Sequence, residues 1–132
     1  MSRRELREQI FKFVFRIEFN DKSEMSEQEK FFFEDYELEL KEEHAKHISY
    51  KSGQIIDKLE ELDEQINQKA KGWKTERMNK VDLTILRVAV YEILFDEDVP
   101  TGVAINEAVE LAKKFGTEES AGFVNGVLAK FA

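Results

Sequence analysis

The stretch Val99–Leu128, VPTGVAINEAVELAKKFGTEESAGFVNGVL, constrains the chain most, because it reads as two helices with explicit punctuation. Pro100 is the only proline in the sequence. It stands just ahead of the first helix, where a missing N–H costs little. Val103, Ala104, Ala108, Leu111, Ala112 and Phe115 then recur at helical spacing. Gly116 follows, in the place where a left-handed residue commonly ends a helix. Thr117 is positioned to cap a second helix, with Glu118 and Glu119 in its first turn. Its apolar face is Ser120, Val124, Val127, Leu128 and Phe131, with Phe123 on the flank. Gly126 lies inside this helix, where glycine costs about 1 kcal/mol against alanine. That predicts close approach by a neighbouring helix or a ligand.

The rest of the chain also reads as helix. Ser2 to Phe19 carries Leu6, Ile10, Phe13, Val14 and Ile17 on one face. Ser26 and Glu29 have the spacing of a capping box, opening a helix through Phe31, Phe32, Phe33, Tyr36 and Leu40. Three adjacent phenylalanines cannot share one side. From Glu42 to Gln68, Ala45, Ile48, Ser52, Ile55, Leu59, Leu62 and Ile66 form a narrow seam, as in one long bundle helix. Asn79 and Asp82 are placed to cap a further helix. In that helix Val81, Ile85, Leu86, Ala89, Val90, Ile93 and Leu94 cover more than half the circumference. It is the expected centre of the core. Seven or so helices without strand alternation predict an all-α fold of two packed helical bundles, split near Lys69–Asn79. This is one domain by length, with an N-terminal part over 1–72 and a C-terminal part over 73–132.

The net charge of −8 argues against nucleic acid only until its distribution is read. Residues 1–17 carry net +3 and residues 65–81 net +4, whereas 18–64 carry −10 and 82–132 carry −5. The acid-rich block is a solvated surface that also confines any RNA to the basic segments. At 100° per residue, Arg4, Arg7, Phe11 and Phe15 fall within about 80° of one another on the first helix, beside its core face. Guanidinium groups followed by rings suit single-stranded RNA, through phosphate contacts and base stacking. For each ring the alternative is packing beneath a neighbouring helix. Trp73, within the basic run Lys69, Lys71, Lys74, Arg77 and Lys80, reads as an anchor packing this linker onto the bundle.

The chain has no cysteine, which removes disulfides and thiol nucleophiles and is compatible with a cytoplasmic protein. No phosphate loop, HExxH motif or nucleophile elbow is present, so nothing nominates a catalytic centre or a cofactor. His44 and His47 sit one turn apart among acids, with no third metal ligand.

Val99-Pro100, Val103–Gly116 and Phe123-Val-Asn-Gly-Val-Leu128, together with Val81-Asp82, Leu86-Arg87, Tyr91-Glu92, Arg3-Arg4 and Arg7-Glu8, resemble the NusB transcription antitermination proteins. The likeness covers the first twenty residues and nearly everything after Trp73. Residues 20–72 agree only in length and helical character. The resemblance implies the same fold. It also implies a non-enzymatic adaptor that pairs with ribosomal protein NusE, binds boxA RNA and helps RNA polymerase read through terminators, chiefly in ribosomal RNA operons. By matching positions it implies RNA contacts at Arg3, Arg4 and Arg7, with Phe123 and Asn125 near the same surface. It implies partner or RNA contacts at Phe15 and Asp82. Family members usually have Tyr where Phe15 stands, which leaves stacking but removes a hydroxyl contact. Rival readings are a purely protein-binding helical module, or the RNA-recognition partner of a separate RNA methyltransferase chain. Self-association as a homodimer through the same exposed faces is also open.

Overall fold

The computed structural model describes residues 1–34 and 40–132. Seven α-helices, joined by short 3₁₀ turns, make up its regular structure, and no strand occurs among the described residues. They are α1 Arg3–Phe15, α2 Met25–Glu34, α3 Glu42–Asp57, α4 Leu59–Lys69, α5 Lys80–Phe95, α6 Thr101–Phe115 and α7 Ser120–Leu128. The helices form two compact units, Met1–Asp57 and Lys58–Ala132. The boundary thus falls at Asp57–Lys58 and not at 72–73. The long helix expected over 42–68 is interrupted at Lys58 (φ −100°, ψ 12°). Its second half packs on α5 and belongs with the C-terminal unit.

In the N-terminal unit α1 packs along α3. Ile10, Phe11, Phe13 and Val14 from α1 and Ile48, Ile55 and Ile56 from α3 are buried. α1 ends in a 3₁₀ turn, Arg16–Glu18, and Arg16 lies 5.1 Å over the Phe32 ring of α2. The capping box ahead of α2 is not Ser26–Glu29. Asp21 and Glu24 form it, and the 3₁₀ turn Lys22–Glu24 they cap runs directly into Met25. Of the three adjacent phenylalanines, Phe32 is buried and Phe31 exposed. Tyr36, expected on the same helix, lies outside the described residues.

The C-terminal unit is organised around α5. Asn79 caps it, its side-chain oxygen accepting from the N–H groups of Val81 and Asp82 at 2.8 and 3.4 Å. Every residue from Asp82 to Glu92 is buried, and α4, α6 and α7 all pack on this helix. The apolar run ends sooner than its pattern suggests, since Leu94 and Phe95 are exposed, as is Val103 on α6. The chain turns into α6 at Pro100, whose carbonyl accepts from Ala104 at 3.0 Å.

Gly116 is not left-handed. Its φ of −94° and ψ of −166° are extended. Glycine is required there for space: an added Cβ would press on the Ser120 side chain and lie 2.8 Å from the Ala112 carbonyl oxygen. Ser120 cannot simply turn aside, because its Oγ accepts from the Thr117 N–H at 2.9 Å; the cap expected from Thr117 is not formed, since α7 starts after Glu119 with no side-chain cap. Gly116→Ala is expected to destabilise the protein by roughly 1–3 kcal/mol. Leu86→Ala, in the fully buried stretch of α5, should cost roughly 2–5 kcal/mol, whereas Glu61→Ala on the exposed side of α4 should stay within about 0.5 kcal/mol. Urea denaturation of the three variants checks this ordering. Equal midpoints for Leu86→Ala and Glu61→Ala would contradict it.

Candidate nucleic-acid interface

Each unit contributes its own candidate surface. In the N-terminal unit, Ser2 starts α1 with a complete capping box: its Oγ accepts from the Glu5 N–H at 3.1 Å and its own N–H donates to Glu5 Oε1 at 3.0 Å. Arg3 and Arg4 are exposed on the turn that follows, and Arg7 is half-buried. Cations are disfavoured at a helix N-terminus, where the macrodipole is positive. Arg3 and Arg4 are therefore unfavourable to the dipole in the first turn, and Glu5 supplies the favourable charge. The hydrogen bond from the Ser2 backbone, ahead of that involving its side chain, holds the Glu5 carboxyl below the usual glutamate range.

Further along α1 the expected arginine–aromatic stripe divides. Phe11 is buried, only 4% exposed, and is a core residue that no base can reach. Periodicity placed it at the edge of the core face, and the structure buries that edge. Phe15 stays half-buried. Its ring meets Phe11 at 6.3 Å and, edge-on, Phe19 at 5.2 Å. Phe19 is 70% exposed, so Phe15 and Phe19 present an aromatic edge to solvent.

In the C-terminal unit the residue that sequence reasoning misplaced is Trp73. It is 58% exposed and meets the bundle by a ring edge, not by burial. Gly72, the one positive-φ residue among those described, turns the chain (φ 86°) so that the Trp73 N–H reaches the Ala70 carbonyl at 2.8 Å. Asn67 Oδ1 then accepts from the Thr75 N–H at 2.8 Å. The turn sets the indole edge-on to Phe123 of α7, with centroids 5.6 Å apart. The signal for this pair was a large ring inside a basic run, a composition suited to solvent-exposed stacking. Trp73 and Phe123 wall a pocket of ≈ 470 Å³ also lined by Arg77, Met78, Asn79, Asp82, Thr117 and Glu119. Lys71, Lys74, Arg77 and Lys80 are exposed around it.

Asp82, expected at a partner surface, is buried in the first turn of α5, at 8% exposure. Asn125 is exposed on α7. Gly126 has open space where its side chain would be, so within this chain no helix approaches it closely. Among the described residues no three His, Cys, Asp or Glu side chains gather as a metal site. None of the described helices is long and apolar enough to cross a membrane.

An N-terminal unit in which α1 packs along α3, a C-terminal unit built around a buried α5, basic and aromatic side chains at the surface and no catalytic constellation among the described residues define the class as a helical binding module. The NusB family model matches residues 4–132. The transcription antitermination protein NusB of Agathobacter rectalis is 54% identical over 132 residues, covering all of both chains. That of Lachnoclostridium phytofermentans is 48% identical over 130 residues, covering 98% of each. Among solved structures, T. maritima NusB superposes with a TM-score of 0.87 at 33% identity, covering 100% of this chain and 91% of that one. A chain from a structure described as a plectonemic RNA supercoil gives 0.82 at 25% identity, covering 98% and 92%. The chain belongs to the NusB family, which is one of transcription antitermination factors and not of enzymes.

The Glu5 interaction sets a pH dependence. A folded-state pKa below the unfolded value means that this interaction contributes stability above the ordinary glutamate range and loses it as pH falls through the lowered value. NMR titration of Glu5 should therefore give a midpoint below that of an unstructured glutamate, and Ser2→Ala, which removes the hydroxyl but keeps the backbone donor, should move it only part of the way back. A midpoint at the unstructured value in the unmodified protein would mean that the capping box does not persist in solution.

Proposed function

We propose that this protein is the RNA-binding half of an antitermination adaptor. It pairs with ribosomal protein NusE, binds the boxA element of nascent ribosomal RNA transcripts and keeps RNA polymerase reading through terminators. The observation that carries the reading is the Trp73–Phe123 pair, an exposed indole set edge-on to a half-buried phenyl ring beside exposed Lys71, Lys74 and Arg77. Rings exposed within a positive segment are the arrangement single-stranded RNA uses, bases on rings and phosphates on cations. The second support is kinship: relatives across the whole length are antitermination proteins, and one chain of the same fold comes from a structure described by its RNA.

Arg3, Arg4 and Arg7 are the phosphate contacts of the N-terminal unit, and Phe123 with Asn125 serves the C-terminal one. Phe11 drops out because it is buried. Phe15, extended by Phe19, is the face offered to NusE. Its exposed aromatic edge suits a protein partner, since aromatic side chains are enriched at interface centres. With an acid excess of eight charges, the chain alone has little basic area for RNA. A partner that adds cations next to the RNA should raise the affinity.

Each phosphate neutralised on single-stranded RNA contributes about −0.7 to the slope of log affinity against log salt. Replacing Arg3, Arg4 and Arg7 with Ala should flatten the slope for a boxA oligonucleotide by up to about 2 and leave the helical CD signal intact. Adding NusE should strengthen RNA binding by the unmodified protein, and Phe15→Ala should reduce that gain. An unchanged slope places the RNA elsewhere, and no effect of NusE removes the adaptor reading.

A further inference from the structure

α5 runs from the Trp73–Phe123 pocket at its first turn to Phe95, about 24 Å away at 1.5 Å per residue. At that far end the C-terminal unit leaves three large apolar side chains in solvent. Leu94 and Val103 are each 44% exposed, and Phe95 is 38% exposed. α4 runs antiparallel to α5, since Asp63 pairs with Arg87 while Lys58 Nζ lies 5.2 Å over the Phe95 ring. The first turn of α4 therefore stands at the same end, with Glu60 and Glu61 exposed. Between α5 and α6 comes Asp96-Glu97-Asp98, fixed in a turn by the Asp98 N–H, which donates to Asp96 Oδ1 at 3.1 Å. Carboxylates are the wrong charge for the C-terminus of a helix, where the dipole is negative. α5 has no basic residue in its last turn to offset them. Glu60, Glu61, Asp96, Glu97 and Asp98 thus gather, with Lys58 among them, at the end that carries the exposed apolar side chains.

We propose that this end of the C-terminal unit is a docking surface for a basic protein segment, one that presents apolar side chains between lysines or arginines. Apolar side chains grouped in solvent and rimmed by polar residues mark an interaction surface, and the rim decides what fits it. The carboxylates repel RNA phosphates and an anionic membrane alike. A second copy of the chain fits poorly, because a two-fold pairing sets the same patch against itself and brings acid against acid. A cationic segment answers both features at once. Its charges meet the five carboxylates and the negative end of α5, and its apolar side chains cover Leu94, Phe95 and Val103. The Phe95 ring already takes one cation on its face, from Lys58, as an aromatic quadrupole allows. The two ends of α5 are then used by partners of opposite charge, and a protein held at the acidic end leaves the basic end open. This surface stands on its own observations and does not depend on the RNA reading.

The test uses the full-length protein and a synthetic peptide of about fourteen residues, with leucines at i, i+3, i+4 and i+7 and lysines elsewhere. Two control peptides replace every lysine with glutamate, or every leucine with serine. Binding is followed by amide NMR shifts, which also locate it. The expected result is saturable shifts over residues 94–103 and an affinity for the lysine–leucine peptide about tenfold above either control. Leu94→Ser with Val103→Ser should weaken that binding about tenfold. Glu97→Lys with Asp98→Lys should weaken it too and reduce its salt dependence. All four positions are exposed, and CD melting verifies the fold of each variant. Shifts confined to residues 18–64, which carry net −10, would overturn the proposal, as would no binding at all. Equal affinity for the serine control would reduce the effect to charge, and equal affinity for the glutamate control would reduce it to apolar contact. Either result overturns the assignment of a basic, apolar partner. Sedimentation of the protein alone as a dimer, abolished by Leu94→Ser with Val103→Ser, would give the face to a second copy. An RNA of about twelve nucleotides that moves the same amides would give it to nucleic acid. Both outcomes overturn the proposal.

Discussion

The pairing of Arg87 with Asp63 underlies the C-terminal unit. Arg87 Nε and Nη2 donate to the two carboxylate oxygens at 2.8 and 2.7 Å, a bidentate fork joining α5 to α4. The arginine side chain is only 8% exposed, that of Asp63 24%. A guanidinium so deeply placed in a helix otherwise filled with Leu, Ile, Val and Ala is tolerable only with its donors met. This requirement brings α4 to α5 in one register.

From that register the exposed chemistry follows. α4 ends at Lys69, the chain turns at Gly72, and Trp73 comes out beside Phe123 because α7 packs on α5 and α6. In the N-terminal unit the dependence is local. The Ser2–Glu5 box holds the first turn of α1 against the cost of Arg3 and Arg4, a cost the helix bears for the sake of its surface.

Much of this was legible in the sequence. α5 was recognisable as the centre because its apolar residues exceed one face, and Asn79 as its cap because Asn is among the best N-caps. The less legible parts share a cause, which is that periodicity describes a helix and not its neighbours. Phe11 sits at the border of the core face, and only the tertiary packing decides that it is covered. Asp57-Lys58-Leu59-Glu60 contains no proline or glycine, so nothing local announces a break there. Gly116 was recognisable as obligatory, but for a conformational reason, when the actual reason is the distance to Ser120 and Ala112. Trp73 was taken for an anchor because a large ring is usually worth burying. Its four cationic sequence neighbours, Lys69, Lys71, Lys74 and Arg77, told more about its place than its size did.

The exposed glycines of α7 have a dynamic consequence. The helix is nine residues long and carries Gly122 and Gly126, each about 1 kcal/mol poorer in a helix than alanine. Its order therefore comes from burying Val124, Val127 and Leu128 and little from its own backbone. Segments of this kind open at low free energy while the rest of a domain stays folded. Phe123 is thus mounted on a helix ordered by its packing, in a unit whose centre, α5, is its most deeply buried. A ligand stacked on that ring would draw α7 closed, so amide exchange along Val124–Leu128 would slow on binding while exchange in α5 barely changed. The stacking surface and the local order of the last helix are, in this molecule, one equilibrium.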